Sequence, residues 1–588
     1  MGYSFLGTSG WRPQFQVSQV YQFLDNVSYI HGAHAYKFGV EYKRLVNNFL
    51  DVRAPHGELA FNTFWIGDSF ANLLLGQAFF QQTTTPHVVH NYIDGFMWYA
   101  QDSWRVTPKF TLTYGVRYEY FTPFIERQDL TTNFDPSANG GRGGLITAAP
   151  NPFPPIQPAP KGRGLFSRTL VHPDRNNLAP RLGFAYAPNR RMVWRGGFGI
   201  FYQVMDRMGS ESMLQLNPPQ VIDASLSVPS NAPPLLLLRD GFLPAPPTVD
   251  VRRLQIRARS FHERSPYSQQ VSFGPQLLLT NDLSVDISFV GNYNRKIRKL
   301  RNLNQGRIVT PGVGPVVFPF PDFCLAPGSC AYIQWLGTDG TANYNSLQIT
   351  VNKRYSHGLA FNVAYTLGKA LGTVSEQLSP TFGNVNPQNL PQNVYDMRAD
   401  YGRLPFDQRH RLVVNWVWEL PFGPRQPYLN QGVLAKLLGD WQLNGIVSST
   451  SGVPITIYAP DRSNTGPGHT SRADCVGNPF PPGFTPTLAR YFDTTAFRIP
   501  APFTFGNCGP NTISSWAFHN WDLSLFKKFR LTEERYLEFR VEFFNVWNTP
   551  QFAAPDSNVA SGTFGRTTSL RNPERPAREI QLGLKLYF

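Results

Sequence analysis

The stretch "VTPKFTLTYGVRYEYF" (106–121) decides how this chain is read. Past the turn at Pro108, every second residue is apolar or aromatic: Phe110, Leu112, Tyr114, Val116, Tyr118 and Tyr120. Thr111, Thr113, Gly115, Arg117 and Glu119 fill the places between. Side chains of an extended chain point to alternate sides, so this is a strand with one greasy face and one wet face. Arg117 and Glu119 need water or charged partners on the wet side. "VTPK" (106–109) is short and carries a proline, which suits a tight turn back to the preceding strand.

The same alternation recurs along the chain. Leu283, Val285, Ile287 and Phe289 alternate with Asp282, Ser284, Asp286 and Ser288. Leu347, Ile349 and Val351 lead through "RYSHG" (354–358) into Leu359, Phe361, Val363, Tyr365 and Leu367. Leu412, Val414, Trp416 and Trp418 follow, then Trp521, Leu523 and Leu525, then Leu537, Phe539, Val541 and Phe543. About fifteen strands result, at 15–30, 35–48, 87–105, 110–122, 179–187, 191–203, 266–276, 282–297, 343–354, 358–369, 408–420, 440–457, 518–530, 535–549 and 576–588.

A soluble β-sandwich also has one greasy face per strand. Three features oppose it. These strands commonly run ten to fifteen residues, against a usual ~5–6. Their ends are rich in aromatics, as in "WVWEL" and "FFNVW". Their connections also alternate. Tight turns such as 31–34, 106–109, 188–190 and 531–534 are interleaved with long segments at 49–86, 123–178, 204–265, 298–342, 370–407, 458–517 and 550–575. Short turns at one end and long loops at the other mark an outer-membrane barrel, turns to the periplasm and loops outside. Short helices are expected within "GDSFANLLLG" (67–76) and "GVLAKLLGDW" (432–441).

Composition agrees. Of 588 residues, 14% are aromatic and only 16% charged, with 49 Gly and 51 Pro. Mean hydropathy is −0.28, and no apolar run approaches the ~18 residues of a spanning helix. In a barrel only alternate residues meet lipid, so hydropathy averages out. The net charge of +15 is spread along the chain and interleaved with acids, as in "EFRVEFF" (538–544). That suits a solvated lumen and loops, and no nucleic acid is expected as a partner. The opening "MGYSFLGTSGWRPQF" reads as lacking a signal peptide, and Leu6 breaks the myristoylation pattern.

The chain closes on "REIQLGLKLYF" (578–588), with Ile580, Leu582, Leu584, Leu586 and Phe588 on one face. A barrel strand descending from an outer loop finishes this way. Leu584, Leu586 and Phe588 resemble the C-terminal signal read by the barrel-assembly machinery.

Cys324 and Cys330 share one long loop, Cys475 and Cys508 another. An even count in an oxidising place suggests two disulfides within those loops. The rival, a four-cysteine zinc site, lacks a C-x-x-C knuckle. His31 and His34, and His87 and His90, lack a third ligand and read as surface or interfacial. No metal or cofactor is expected. "DMRADYGRLPFDQRHR" (396–411) is the most polar stretch. Its Asp396, Arg398, Asp400, Asp407 and Arg409 form either a ligand-contacting loop or a salt-bridged strand start at the membrane edge, and the second is favoured. No Ser-His-Asp elbow, P-loop or dinucleotide fingerprint is found, so the chain is not read as an enzyme.

Six segments carry a family resemblance: "YAQDSWRVTPKFTLTYGVRYEYF" (99–121), "NNLAPRLGFAYAP" (176–188), "WRGGFGIFYQ" (194–203), "FDQRHRLVVNWVWELPFG" (406–423), "GDWQLNGIVSSTSGVPITI" (439–457) and "NWDLSLFKKFRL" (520–531). Together they resemble the barrel of TonB-dependent receptors, closest to the Oar-like branch. The resemblance implies an outer-membrane transmembrane antiparallel barrel of 22 strands, with a plug, a TonB box, a regulatory-like domain and a signal peptide upstream. Against that template, residues 1–588 are expected to be a barrel incomplete at its N-terminus, cut within an outer loop. The implied partners are outer-membrane lipid, the assembly machinery, TonB through a plug, and a ligand that is a glycan, a peptide or a metal chelate. A non-transporting surface protein, serving adhesion or protein secretion, is the alternative.

Overall fold

The computed structural model describes the chain apart from residues 1–5, 9, 11, 53, 64, 151–155, 161–163, 204–213, 229–232, 235, 243–249, 254, 327–328, 375–389, 425, 533–534 and 573–576. Fifteen long strands follow one another in sequence. They are β1 (Phe15–His31), β2 (His34–Leu50), β3 (Val89–Thr107), β4 (Phe110–Phe121), β5 (Leu178–Asn189), β6 (Met192–Tyr202), β7 (Tyr267–Leu278) and β8 (Leu283–Asn302). The rest are β9 (Tyr332–Ser356), β10 (Leu359–Gly372), β11 (His410–Glu419), β12 (Trp441–Thr450), β13 (Phe518–Arg530), β14 (Tyr536–Phe544) and β15 (Glu579–Tyr587). Each pairs antiparallel with the next. Three short segments, Ile125–Glu126, Gln255–Arg259 and Gly402–Arg403, bring the sheet to 18 strands. Among the described residues, no pairing joins β1 to β15, so the sheet is an open wall.

Cross-strand register gives that wall two faces. At one level Val40, Trp98, Tyr118 and Leu178 lie side by side across four strands. At another, Leu443, Leu525, Val541 and Leu582 do the same. Much of this face is uncovered: Val40 is 63% exposed, Leu178 50% and Leu582 67%. A soluble protein would bury such a band, whereas a membrane protein leaves it for lipid. Aromatics of the same face gather at both ends: Trp104, Tyr186, Trp194, Trp418 and Phe529 toward the turns, Tyr120, Tyr202, Tyr267, Tyr293 and Trp521 toward the loops. These are the two interfacial girdles of a membrane barrel.

The other face is polar and bonded to itself. Arg117 reaches Glu41 at 2.8 Å and Glu119 at 2.6 Å. Asn352, Asn362 and Asn415 stand in register, and Asn362 donates to Asn352 at 2.5 Å. Charges paired in this way are tolerated where water reaches them.

Among the described residues, every short turn lies at one end. The β9–β10 turn is made by His357 (φ 50°) and Gly358 (φ 76°), the pair of left-handed residues that a two-residue hairpin turn requires. The long loops lie at the other end, and the buried apolar core sits among them rather than in the wall. One cluster joins Phe49, Val89, Ile93, Phe124, Leu216, Leu300 and Leu336. A second joins Phe134, Leu145, Ile256, Phe320, Phe323 and Ile333, and a third Ile457, Tyr491, Phe492, Phe497 and Ile513. Short helices occupy Ser69–Leu74, capped by Asp68, and Gly432–Leu438.

Several boundaries differ from the sequence-based reading. The stretch 298–342, expected as loop, is partly strand: β8 runs on to Asn302 and β9 begins at Tyr332. Past bulges at Asn294 and Ile297 the pair continues above the membrane band, with Gln255–Arg259 alongside in parallel. No apolar alternation marks this part because neither face meets lipid. Conversely, β12 stops at Thr450 rather than 457, because Pro454–Ile455 turns aside to pair with Ile513–Ser514.

Candidate functional site

The loop end carries a network of buried polar and charged side chains. At its centre Asp400 is fully buried. Arg472 Nη1 donates to its Oδ1 at 2.6 Å, and Lys299 Nζ stands 3.5 Å from its Oδ2. Arg472 also donates through Nε to the Cys508 carbonyl at 2.8 Å. Its backbone N–H donates to Gln392 Oε1 at 2.8 Å, and Gln392 Nε2 donates in turn to the Gly506 carbonyl. Gln305 Nε2 donates to the Gln392 carbonyl at 2.9 Å. One carboxylate thus ties the outer end of β8 to the segments that follow β10 and β12.

The polar stretch 396–411 divides between structural and exposed roles. Asp400 belongs to the buried network. Asp407 is also buried, accepting from the Ala370 N–H at 2.7 Å and from Arg403 Nε at 2.8 Å. Both carboxylates are engaged within the fold. Asp396, Arg398 and Arg409 are exposed. Their neighbours at 375–389 lie outside the described residues. Arg472 and Lys299 were not singled out from the sequence. Nothing local marks them, since Arg472 lies 72 residues from Asp400.

The cysteines are joined in two pairs, Cys324 with Cys330 and Cys475 with Cys508. The first closes a hairpin whose two strands place these residues opposite each other. The second spans 33 residues and lies beside the third apolar cluster. Tyr491 donates to the Ser514 carbonyl at 2.8 Å there, and burial pushes its hydroxyl up to about 12. Nearby, Asp461 stands 3.2 Å from His469 Nε2. Burial raises the Asp461 carboxyl, but the His469 contact and the Ser463 N–H outweigh it and hold it at about 2.

His34 Nδ1 lies 2.7 Å from Asp102, and His90 Nδ1 3.1 Å from Asn48. Among the described residues no group of three or more His, Cys, Asp or Glu is placed to hold a metal. Leu584 and Leu586 project from the lipid side of β15, 64% and 56% exposed, and Phe588, one residue past the strand, is 95% exposed.

A family model described as an outer membrane beta barrel domain matches residues 1–581. A search of curated proteins finds no match. Among solved structures, the outer membrane transporter YddB from Escherichia coli is 10% identical, with a TM-score of 0.47, over 97% of this chain and 54% of its own. The ferric-catecholate import receptor Fiu from E. coli is 11% identical, with a TM-score of 0.43, over 98% and 55%. The ferric yersiniabactin uptake receptor FyuA from Yersinia pestis is 9% identical, with a TM-score of 0.41, over 98% and 54%. The chain spans about half the length of these solved proteins.

Proposed function

The chain belongs to the outer membrane β-barrel domain family, and from that premise we propose that it forms the wall of a TonB-dependent transporter that takes up a ligand across the outer membrane when joined to a plug. The observation that carries this reading is the division of the molecule. A lipid-facing wall is closed off at one end by tight turns and crowned at the other by long, cross-linked loops with their own cores. Six sequence segments resembling TonB-dependent receptors support it. In this reading the ligand, a glycan, peptide or metal chelate, is met by exposed loop residues, and the polar inner face lines its path.

The test is uptake by cells carrying or lacking the gene, using labelled ferric chelates, peptides and oligosaccharides, with and without a protonophore. The proposal expects one class to be lost on deletion and its uptake to stop with the protonophore. Intact uptake of every class, with loss of surface adhesion or of protein export, would favour the non-transporting alternative.

A further inference from the structure

On the lipid side of β8–β10, at the loop end, lies an open cleft of about 610 Å3. Its lower wall is Phe289, Leu347 and Leu367, set side by side by the register. Phe289 is 40% exposed and Leu347 39%. Its upper wall is polar and cationic, with Arg295, Lys369 and Arg409 beside Tyr293 and Tyr401. Asn343 organises this wall. It accepts from Arg295 Nη1 at 2.7 Å and donates to the Tyr401 hydroxyl at 3.4 Å.

Three other cationic groups on the lipid side have partners within the protein. Arg44 pairs with Asp94 at 2.7 Å, Lys353 with Asp282, and Lys527 donates to the carbonyls of Lys436, Leu437 and Gly439. Among the described residues, no carboxylate pairs with Arg295, Lys369 or Arg409. The cleft therefore combines positive charge, without a carboxylate partner among the described residues, with apolar surface directly below it.

We propose that this cleft binds a phosphate-bearing glycolipid of the outer leaflet. Guanidinium groups match a phosphate with paired N–H donors, and an ammonium adds a point charge. Basic side chains at a membrane surface attract anionic lipid. Phe289, Leu347 and Leu367 then receive the first part of an acyl chain. The proposal rests on the outer-membrane location, not on transport, so failed uptake assays leave it standing.

The test is native mass spectrometry of the full chain in detergent with diphosphorylated lipid A, dephosphorylated lipid A or inorganic phosphate. The wild type is expected to retain diphosphorylated lipid A, bind the dephosphorylated form at least tenfold more weakly, and resist displacement by inorganic phosphate. Arg295→Gln/Lys369→Gln/Arg409→Gln is expected to bind at least tenfold more weakly, and Lys353→Gln, at the turn end, like wild type. If the triple variant fails to fold by circular dichroism, Lys369→Gln alone, at an exposed position, is expected to weaken binding at least threefold. Equal binding by wild type and the cleft variants, or of both lipids, would overturn the proposal. So would displacement by inorganic phosphate, which would make this a free-phosphate site, or equal weakening by Lys353→Gln, which would reduce the effect to net charge.

Discussion

At the scale of single residues, the side of the wall decides what a substitution does. Val363 lies on the lipid side of β10 between Val351 and Val414, while Thr366 lies on the inner side. An arginine facing lipid near mid-membrane costs about 2–4 kcal/mol. Val363→Arg should therefore lower stability in bilayers by about that much in urea titrations, and Thr366→Arg by about 1 kcal/mol or less. Asp400 presents the opposite case, a buried charge held by two cations. Asp400→Asn leaves Arg472 and Lys299 buried without a counter-charge, and breaking such a pair costs about 3–5 kcal/mol. The expected readout is faster proteolysis of the loop after β10, and unchanged proteolysis would contradict the structural role. Val363 was readable from alternation alone. Asp400 stood out only as a polar residue in a polar stretch, because its partners come from distant loops and burial has no one-dimensional signature.

Elements differ in how they are held. The wall strands were legible because two solvents, lipid and water, impose a period of two on them. Where that contrast ends, legibility ends as well. The outer parts of β8 and β9 are paired strands without alternation, and the parallel segment Gln255–Arg259 was read as loop. The loops are instead held by covalent and ionic ties. Closing 33 residues with Cys475–Cys508 should contribute about 3–4 kcal/mol to the loop after β12 by loop entropy, against about 2 kcal/mol for the six-residue Cys324–Cys330 closure. Reduction should thus raise hydrogen exchange more around 451–517 than around 303–331, and the reverse order would contradict this ranking. Asp461 adds a pH dependence. Its carboxyl sits below the ordinary value, at about 2. Its contribution is then full above the unfolded value near ~4 and lost as pH falls toward 2. Protection from exchange in 451–517, measured relative to intrinsic rates, should fall between pH 5 and pH 2.5, and Asp461→Asn should remove that fall. A pH response identical in the variant would exclude Asp461 as its source.

For the whole molecule, the wall has two edges, β1 and β15, with no partner on their outer sides among the described residues. All of β1 is exposed. Backbone groups left unpaired in hydrocarbon cost several kcal/mol each, so in a membrane these edges are expected to be covered. Architecture and strand count were readable from 588 residues because they follow from alternation and connection length. Which loop residues meet a ligand was not, because specificity lies in irregular segments whose shape depends on contacts between loops. Everything above rests on one claim, that the wall stands in the membrane with odd-numbered residues of β10 toward lipid. Spin labels placed singly at residues 361–366 in the outer membrane test it, through relaxation by oxygen, which concentrates in lipid, and by a water-soluble nickel chelate. The expected result is a period of two, with oxygen dominating at Phe361, Val363 and Tyr365 and nickel at Asn362, Ala364 and Thr366. A flat profile, or nickel dominating at all six positions, would contradict the membrane wall and the functional proposals built on it.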